Sequence, residues 1–187
     1  MSKLAYIFFA NGFEEVEALS VVDILRRGGV GVEMISIDNS DYVTSSHNVT
    51  LKMDKHINEI DKNAADIIIL PGGMPGTTNL ANCSELTDMI KSYNSEGKRI
   101  AAICAAPTVF GGLGLLNGKK AICYPGMEDK LEGALVTVEE VVTDGNITTS
   151  RGLGTAIPFG LELLKLLVSE EAANKISNAI VFRMVCK

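Results

Sequence analysis

The chain has 187 residues, of which 47% are hydrophobic and 21% charged, a balance that excludes intrinsic disorder. A chain of this length buries roughly 70% of its unfolded surface without staples, so a single domain spanning residues 1–187 is expected. With 17 Lys and Arg against 23 Asp and Glu the formal charge is −6 and the basic residues are scattered, which argues against nucleic acid and anionic membrane as partners.

The opening MSKLAYIFFANGFEEVE lacks the long apolar run of a signal peptide, and no stretch reaches the ~18 apolar residues of a membrane span, so a cytoplasmic location is expected. Cys83, Cys104, Cys123 and Cys186 form no CxxC pair and are expected to be thiols. His47 and His56, the two histidines, have no cysteine close by, so no metal site is expected.

In chain order, LAYIFFA (4–10) is a short apolar run stopped by Asn11-Gly12 and predicts a strand buried on both faces. EEVEALSVVDILRRGG then predicts a helix, with acids at its start, Arg26 and Arg27 at its end and two glycines to stop it. VGVEMISI predicts a second strand. The alternation from Asp41 to Met53 around Ser45-Ser46 predicts a small hairpin or edge element, and His56 in MDKHINEID reads as a surface residue.

ADIIIL (65–70) is a further buried strand, ended by PGGMPG. A helix is predicted over 84–96 and a fourth central strand over RIAAI. KKAICYP predicts a strand cut short by Pro125. The segments 136–142 and 146–150 read as strands joined by Asp144-Gly145, and TAIPFGLELLKLL and SEEAANKISNAI as closing helices, with Pro158 in a first turn. Strands alternating with helices, and strands that are apolar throughout, predict an α/β fold with a mostly parallel sheet covered on both faces.

In such sheets ligands gather at the carboxyl ends of the strands, where three unusual loops, NGFEEVE, LPGGMPG and ICAAP, are expected to meet. At Cys104 the strand has to turn into a helix, and Ala105, Ala106 and Pro107 suit a nucleophile elbow. A thiol beside unpaired amides at a helix start is expected to have a lowered pKa and to be a nucleophile. Gly72 and Gly73 allow close approach of backbone to a ligand, so one of their amides is a candidate oxyanion donor.

Neither histidine stands near a strand end of the parallel core, which leaves a buried carboxylic acid as the proton partner. Glu17 starts a core-facing row with Val21 and Ile24, and Glu14 starts one with Ala18 and Val21; periodicity does not choose between them.

NGFEEVEA with VVDILRRGG, DIIILPGGMPGTTNL, AAICAAPTVF and TSRGLGTA together resemble the ThiJ/PfpI superfamily, in its DJ-one (Parkinsonism-associated deglycase) branch, over nearly the whole chain. The resemblance implies a flavodoxin-like three-layer sandwich, a homodimer, Cys104 as nucleophile, Glu17 as the protonated acid beside it, and the amides of Gly73 and Ala105 near a substrate oxygen, with Gly72 and Tyr124 also in the binding site.

It further implies a cofactor-independent enzyme on small α-oxoaldehydes, a glyoxalase or deglycase converting methylglyoxal to lactate. A redox-sensing stress protein with chaperone-like activity through oxidation of Cys104 is the alternative. Two departures stand out. Tyr124 occupies a position where relatives carry His, and His47 replaces an arginine near the site. The protease-like branch carries His directly after its cysteine where this chain has Ala105, which argues against a peptidase. Older family labels, amidase or a thiamine-related role, find no independent support in the residues.

Overall fold

A computed structural model describes residues 3–183, so the expected thiol of Cys186 lies outside the described residues. The first apolar run is strand β1 (Leu4–Phe9). Helix α1 (Glu15–Arg27) follows, acidic in its first turn and basic in its last, the order its dipole favours. Strand β2 (Gly31–Ser36) leads to the small antiparallel hairpin β3 (Tyr42–Thr44) and β4 (Thr50–Lys52), then to β5 (Lys55–His56).

The middle of the chain supplies β6 (Ile67–Leu70), α2 (Gly76–Asn82), α3 (Ser84–Ser95), β7 (Arg99–Ile103) and the short helix α4 (Pro107–Gly112). The last third supplies β8 (Lys120–Ala121), β9 (Leu135–Val136), β10 (Val141–Asp144), β11 (Ile147–Ser150), α5 (Ala156–Leu167) and α6 (Glu170–Ala179).

Seven strands form one sheet in the order β10-β11-β7-β6-β1-β2-β5, parallel at every pairing except β10 with β11. Alternate residues of β1 go to opposite faces. Ala5, Ile7 and Phe9 pack with Leu25 of α1, Leu163 of α5 and Ile176 of α6, whereas Tyr6 and Phe8 pack with Ile90 and Tyr93 of α3 and Phe110 of α4. Burying each such large apolar side chain contributes about 1.5–3 kcal/mol, which is why the central strands carry no polar face. The result is the expected three-layer, flavodoxin-like α/β sandwich.

The connections reverse direction across β1: β2 lies on one side of it and β6 on the other. The loops leaving β1 and β6 therefore diverge, and the crevice between them is where such sheets bind ligands. The loop leaving β7 is the next one along.

Several local expectations need correction. The strand over KKAICYP shrinks to Lys120–Ala121 and pairs with β9 in a separate two-stranded sheet, because the chain must leave β8 to pass beside Cys104. The single strand expected over 136–142 is two, β9 and β10, interrupted at 137–140. Helix α2 and strand β5 carry too few residues to show a period. His56 is half-buried rather than a surface residue: it lies in β5 and pairs with Asp41 at 3.0 Å and Glu59 at 3.6 Å.

Candidate active site

The loops after β1, β6 and β7 converge on one point. Cys104 follows the last residue of β7 and stands with φ +65°, a left-handed conformation that costs a non-glycine residue about 1–2 kcal/mol. Two long-range hydrogen bonds hold it there. Its N–H donates to the Ser150 carbonyl of β11 at 3.0 Å, and its carbonyl accepts from the Tyr124 N–H at 2.7 Å. Strain stored at one residue and enforced by neighbours from two other segments is a mark of a functional position.

Glu17, in the first turn of α1, is 1% exposed. Its Oε2 accepts the Gly72 N–H at 3.0 Å, and its carboxyl packs beside the Cys104 thiol. Gly72 is bare for a reason: a Cβ there would lie 2.6 Å from Cys104 Cβ and 2.7 Å from Glu17 Oε2. Gly73, at φ +91°, is backed against the main chain of Phe13 and Glu14, leaving no space for a side chain. The amides of Gly73 and Ala105 both face the sulfur. The structure thus gathers Cys104, Glu17, Gly72, Gly73 and Ala105 into one cluster.

Burial pushes the Glu17 carboxyl up from 4.5 to about 7; the thiol and the Gly72 amide pull it down, and the nearby Glu14 carboxylate adds to the rise. Burial also pushes the Cys104 thiol up to about 12, reinforced by the charge of Glu17, and only the amides of Ala105 and Gly73 oppose this. The expectation of a thiol lowered by the helix start is therefore corrected. Helix α4 is six residues long, and a buried carboxylate on the other side of the sulfur outweighs it. The two groups share one proton near neutrality, so the negative charge belongs to the pair.

Above the pair the wall is the bare backbone of Gly152, where a Cβ would stand 3.8 Å from both Cys104 Sγ and Glu17 Oε1 and 3.5 Å from the Tyr124 ring. Tyr124 is 52% exposed and borders the site through this ring; it touches Cys104 by its main chain. A cavity of about 320 Å³ lies on the outer side of this wall, lined by Tyr124, Pro125 and residues 151–155 and not by Cys104 or Glu17. A larger one, about 580 Å³, lies between α3 and Lys62 and holds none of these groups.

Sequence reasoning had no signal for Ser150 or for Gly152 beyond its presence in TSRGLG. The two glutamates left open by periodicity have different jobs: Glu17 faces the thiol, and Glu14 caps α1, its Oε2 accepting the Glu17 N–H at 2.6 Å. His47 pairs with Glu15 at 3.1 Å on the outer side of this turn and is 68% exposed. His47, Glu15 and Glu14 bring three ligand-type atoms within 4.8 Å of one another; Glu14 Oε2 caps α1, and His47 Nδ1 lies 3.1 Å from the Glu15 carboxylate.

Comparison with known proteins places these features in context. The family model for the DJ-1/PfpI family matches residues 3–166. Protein DJ-1 homolog B of Arabidopsis thaliana is 41% identical over 184 residues, covering 97% of this chain and 42% of its own length. The chain spans less than half the length of that relative and of Arabidopsis homolog A, of which it covers 47%. The glutathione-independent glyoxalase DJR-1.2 of Caenorhabditis elegans is 32% identical over 165 residues, 87% of each chain. Among solved structures, oxidized DJ-1 of Toxoplasma gondii superposes with a TM-score of 0.94 at 36% identity, covering 98% of this chain and all of that one.

Proposed function

The chain belongs to the DJ-1/PfpI family, and we propose that within it the protein is a cysteine-dependent, cofactor-independent enzyme that acts on α-oxoaldehydes and converts methylglyoxal to lactate. The observation that carries this reading is the buried Glu17 carboxyl, raised to about 7 and packed beside the Cys104 thiol. A base works best when its pKa lies near the working pH. The similarity to a glutathione-independent glyoxalase supports the substrate class.

The chemistry starts with Glu17 taking the thiol proton as Cys104 Sγ bonds to the aldehyde carbon. The carbonyl oxygen becomes a hemithioacetal oxygen, held by the Gly73 and Ala105 amides. Glu17 passes the thiol proton to the hemithioacetal oxygen. Ionised again, it moves the proton from the former aldehyde carbon to the neighbouring keto carbon, while the hemithioacetal hydroxyl proton passes to the keto oxygen, which becomes the hydroxyl of a lactyl thioester. Water hydrolyses the thioester, releasing lactate and restoring the thiol. The aldehyde carbon is oxidised and the keto carbon reduced, so methylglyoxal and water balance lactate without an external electron carrier. Tyr124, Gly72 and the bare Gly152 backbone shape the space for a small carbonyl compound.

Incubation of the purified protein with methylglyoxal should yield lactate, and Cys104→Ser should abolish it. Unchanged turnover in Cys104→Ser would overturn the proposal. A second reading is favoured by the same donors: peroxide oxidation of Cys104 to a sulfinate would place two oxygens among the Gly73 and Ala105 amides and a protonated Glu17, as a redox-sensing stress protein would require. Selective dioxygenation of Cys104 on mild peroxide, without aldehyde turnover, distinguishes it. The homodimer expected from family resemblance is part of this proposal and is checked by sedimentation equilibrium.

A further inference from the structure

Glu14 is a buried acid that the proposed chemistry does not use. It is 8% exposed and stands at the cap position of α1. Three hydrogen bonds form a closed ring around it. The Glu14 N–H donates to the Gly72 carbonyl at 2.9 Å, the Gly72 N–H donates to Glu17 Oε2 at 3.0 Å, and the Glu17 N–H donates to Glu14 Oε2 at 2.6 Å. The ring joins the start of α1 to the glycine loop after β6, and it contains the atom that orients the Glu17 carboxyl toward Cys104.

Capping alone does not call for this side chain. Ser, Thr, Asp and Asn reach a first-turn amide with a shorter chain, and a neutral hydroxyl satisfies the donor equally well. A glutamate places a second buried carboxylate beside an acid whose own ionisation is the chemistry. Like charges at short range disfavour the charged form of a carboxyl, and the helix dipole acts in the opposite sense on any acid in a first turn.

We propose that Glu14 is a positioning residue for the Cys104–Glu17 pair: its carboxylate closes the hydrogen-bonded ring that fixes Glu17 against Gly72, and its charge offsets the helix dipole so that Glu17 keeps a proton to share with the thiol. The ionisable groups facing Glu17 are Cys104 from the β7–α4 junction and Glu14 from its own helix. Glu15 and His47 stand beyond Glu14, and Tyr124 stands across Gly152. The sense of the Glu14 effect agrees with its contribution to the raised carboxyl of Glu17.

The inference rests on the pair invoked under the proposed function, so its test uses no aldehyde. Cys104 is alkylated with iodoacetamide over a range of pH and the modified peptide is quantified by mass spectrometry. The wild-type rate is expected to step upward near pH 7 as the pair loses its first proton. In Glu14→Gln, which keeps an oxygen acceptor and loses the charge, the step moves to lower pH and the plateau falls because Glu17 is a weaker base. A shift of half a unit makes the rate at about pH 6, relative to each protein's own plateau, ~threefold higher than in wild type. Glu14→Ser, with a neutral capping hydroxyl, shows the same shift, and Glu14→Asp keeps the step in place.

In Glu17→Gln the step is gone, and adding Glu14→Gln changes nothing further. A folded Glu14→Gln or Glu14→Ser with the step unmoved would overturn the inference alone. So would a Glu14→Gln effect of equal size in the Glu17→Gln background. Loss of folding in both neutral variants with Glu14→Asp intact would also overturn it, assigning Glu14 to the fold instead. A wild-type profile without the step would overturn both the pair and the inference.

Discussion

Gly72→Ala adds a single methyl group at the most crowded point of the site. Its Cβ would stand 2.6 Å from Cys104 Cβ and 2.7 Å from Glu17 Oε2, where carbon pairs ordinarily rest about 3.5–4.0 Å apart. Either the glycine loop or the thiol–carboxyl pair has to retreat by ~1 Å, and neither is the loose end of a flexible chain: Cys104 is fixed by Ser150 and Tyr124, and Glu17 by Gly72 itself. Overpacking of this kind costs about 1–3 kcal/mol of stability. A 1 Å misplacement of reacting groups costs ~100-fold in rate. The expected outcome is a folded protein with a modestly lowered Tm, whose lactate production from methylglyoxal and whose Cys104 alkylation near pH 7 both fall by about that factor. Gly112→Ala, where a Cβ meets nothing within 4 Å, is the control and should leave both unchanged. A Gly72→Ala protein that alkylates and turns over within about twofold of wild type would refute the reasoning from contact.

Glu17→Gln tests the coupling of the site to stability. Folding raises the Glu17 carboxyl from 4.5 to about 7, so the native state binds the proton more tightly than the unfolded chain, and the associated stability is present below pH 4.5 and lost as pH rises through about 7. Relative to Glu17→Gln, the wild type should lose ~3 kcal/mol of unfolding free energy between about pH 4 and about pH 8, measured by urea denaturation; a constant difference would contradict the raised carboxyl. Phe13 is fully buried and meets Phe9 edge-on at 4.9 Å, so Phe13→Ala should cost ~3–5 kcal/mol, and a loss below ~1 kcal/mol by the same method would show that the loop after β1 is not held by this packing. Tyr124→Ala, which strips the exposed ring beside Gly152 but keeps the main-chain bond to Cys104, should raise KM for methylglyoxal more than it lowers kcat; the reverse would make the phenol part of the chemistry.

Glu14 and Glu17 show how the site is put together. Both are acids of a first helical turn, the usual place for charges that serve only the dipole. One closes a ring of main-chain and side-chain bonds, and the other, at the centre of that ring, meets a thiol from a strand two places away in the sheet. The glycines at 72 and 73 make the meeting possible by taking no space.

The central architecture is local information. Apolar runs such as Leu4–Ala10 and Ala65–Leu70, stopped by Asn11-Gly12 and Pro71-Gly72, specify strands buried on both faces, and the charge order from Glu14 to Arg27 specifies a helix, because each signal lies within the segment it shapes. The short elements were not legible: β5, α2 and β8 have too few residues for a period, and their conformation comes from the neighbours they pair with or pass. The thiol at the end of β7 was also visible in the chain, as a cysteine where an apolar run meets Ala-Ala-Pro.

What surrounds that thiol was not. Periodicity left Glu14 and Glu17 equivalent, since both begin core-facing rows, and their roles separate only when Gly72, 55 residues on from Glu17, donates to one of them. The direction of the thiol's pKa was likewise misjudged from local features, because amides and a helix start are neighbours in sequence whereas burial and the opposing carboxylate are brought in by the fold. Strands and helices follow from interactions a few residues apart; the ionisation of a buried pair depends on every group packed around it, and those groups come from five separate stretches of chain.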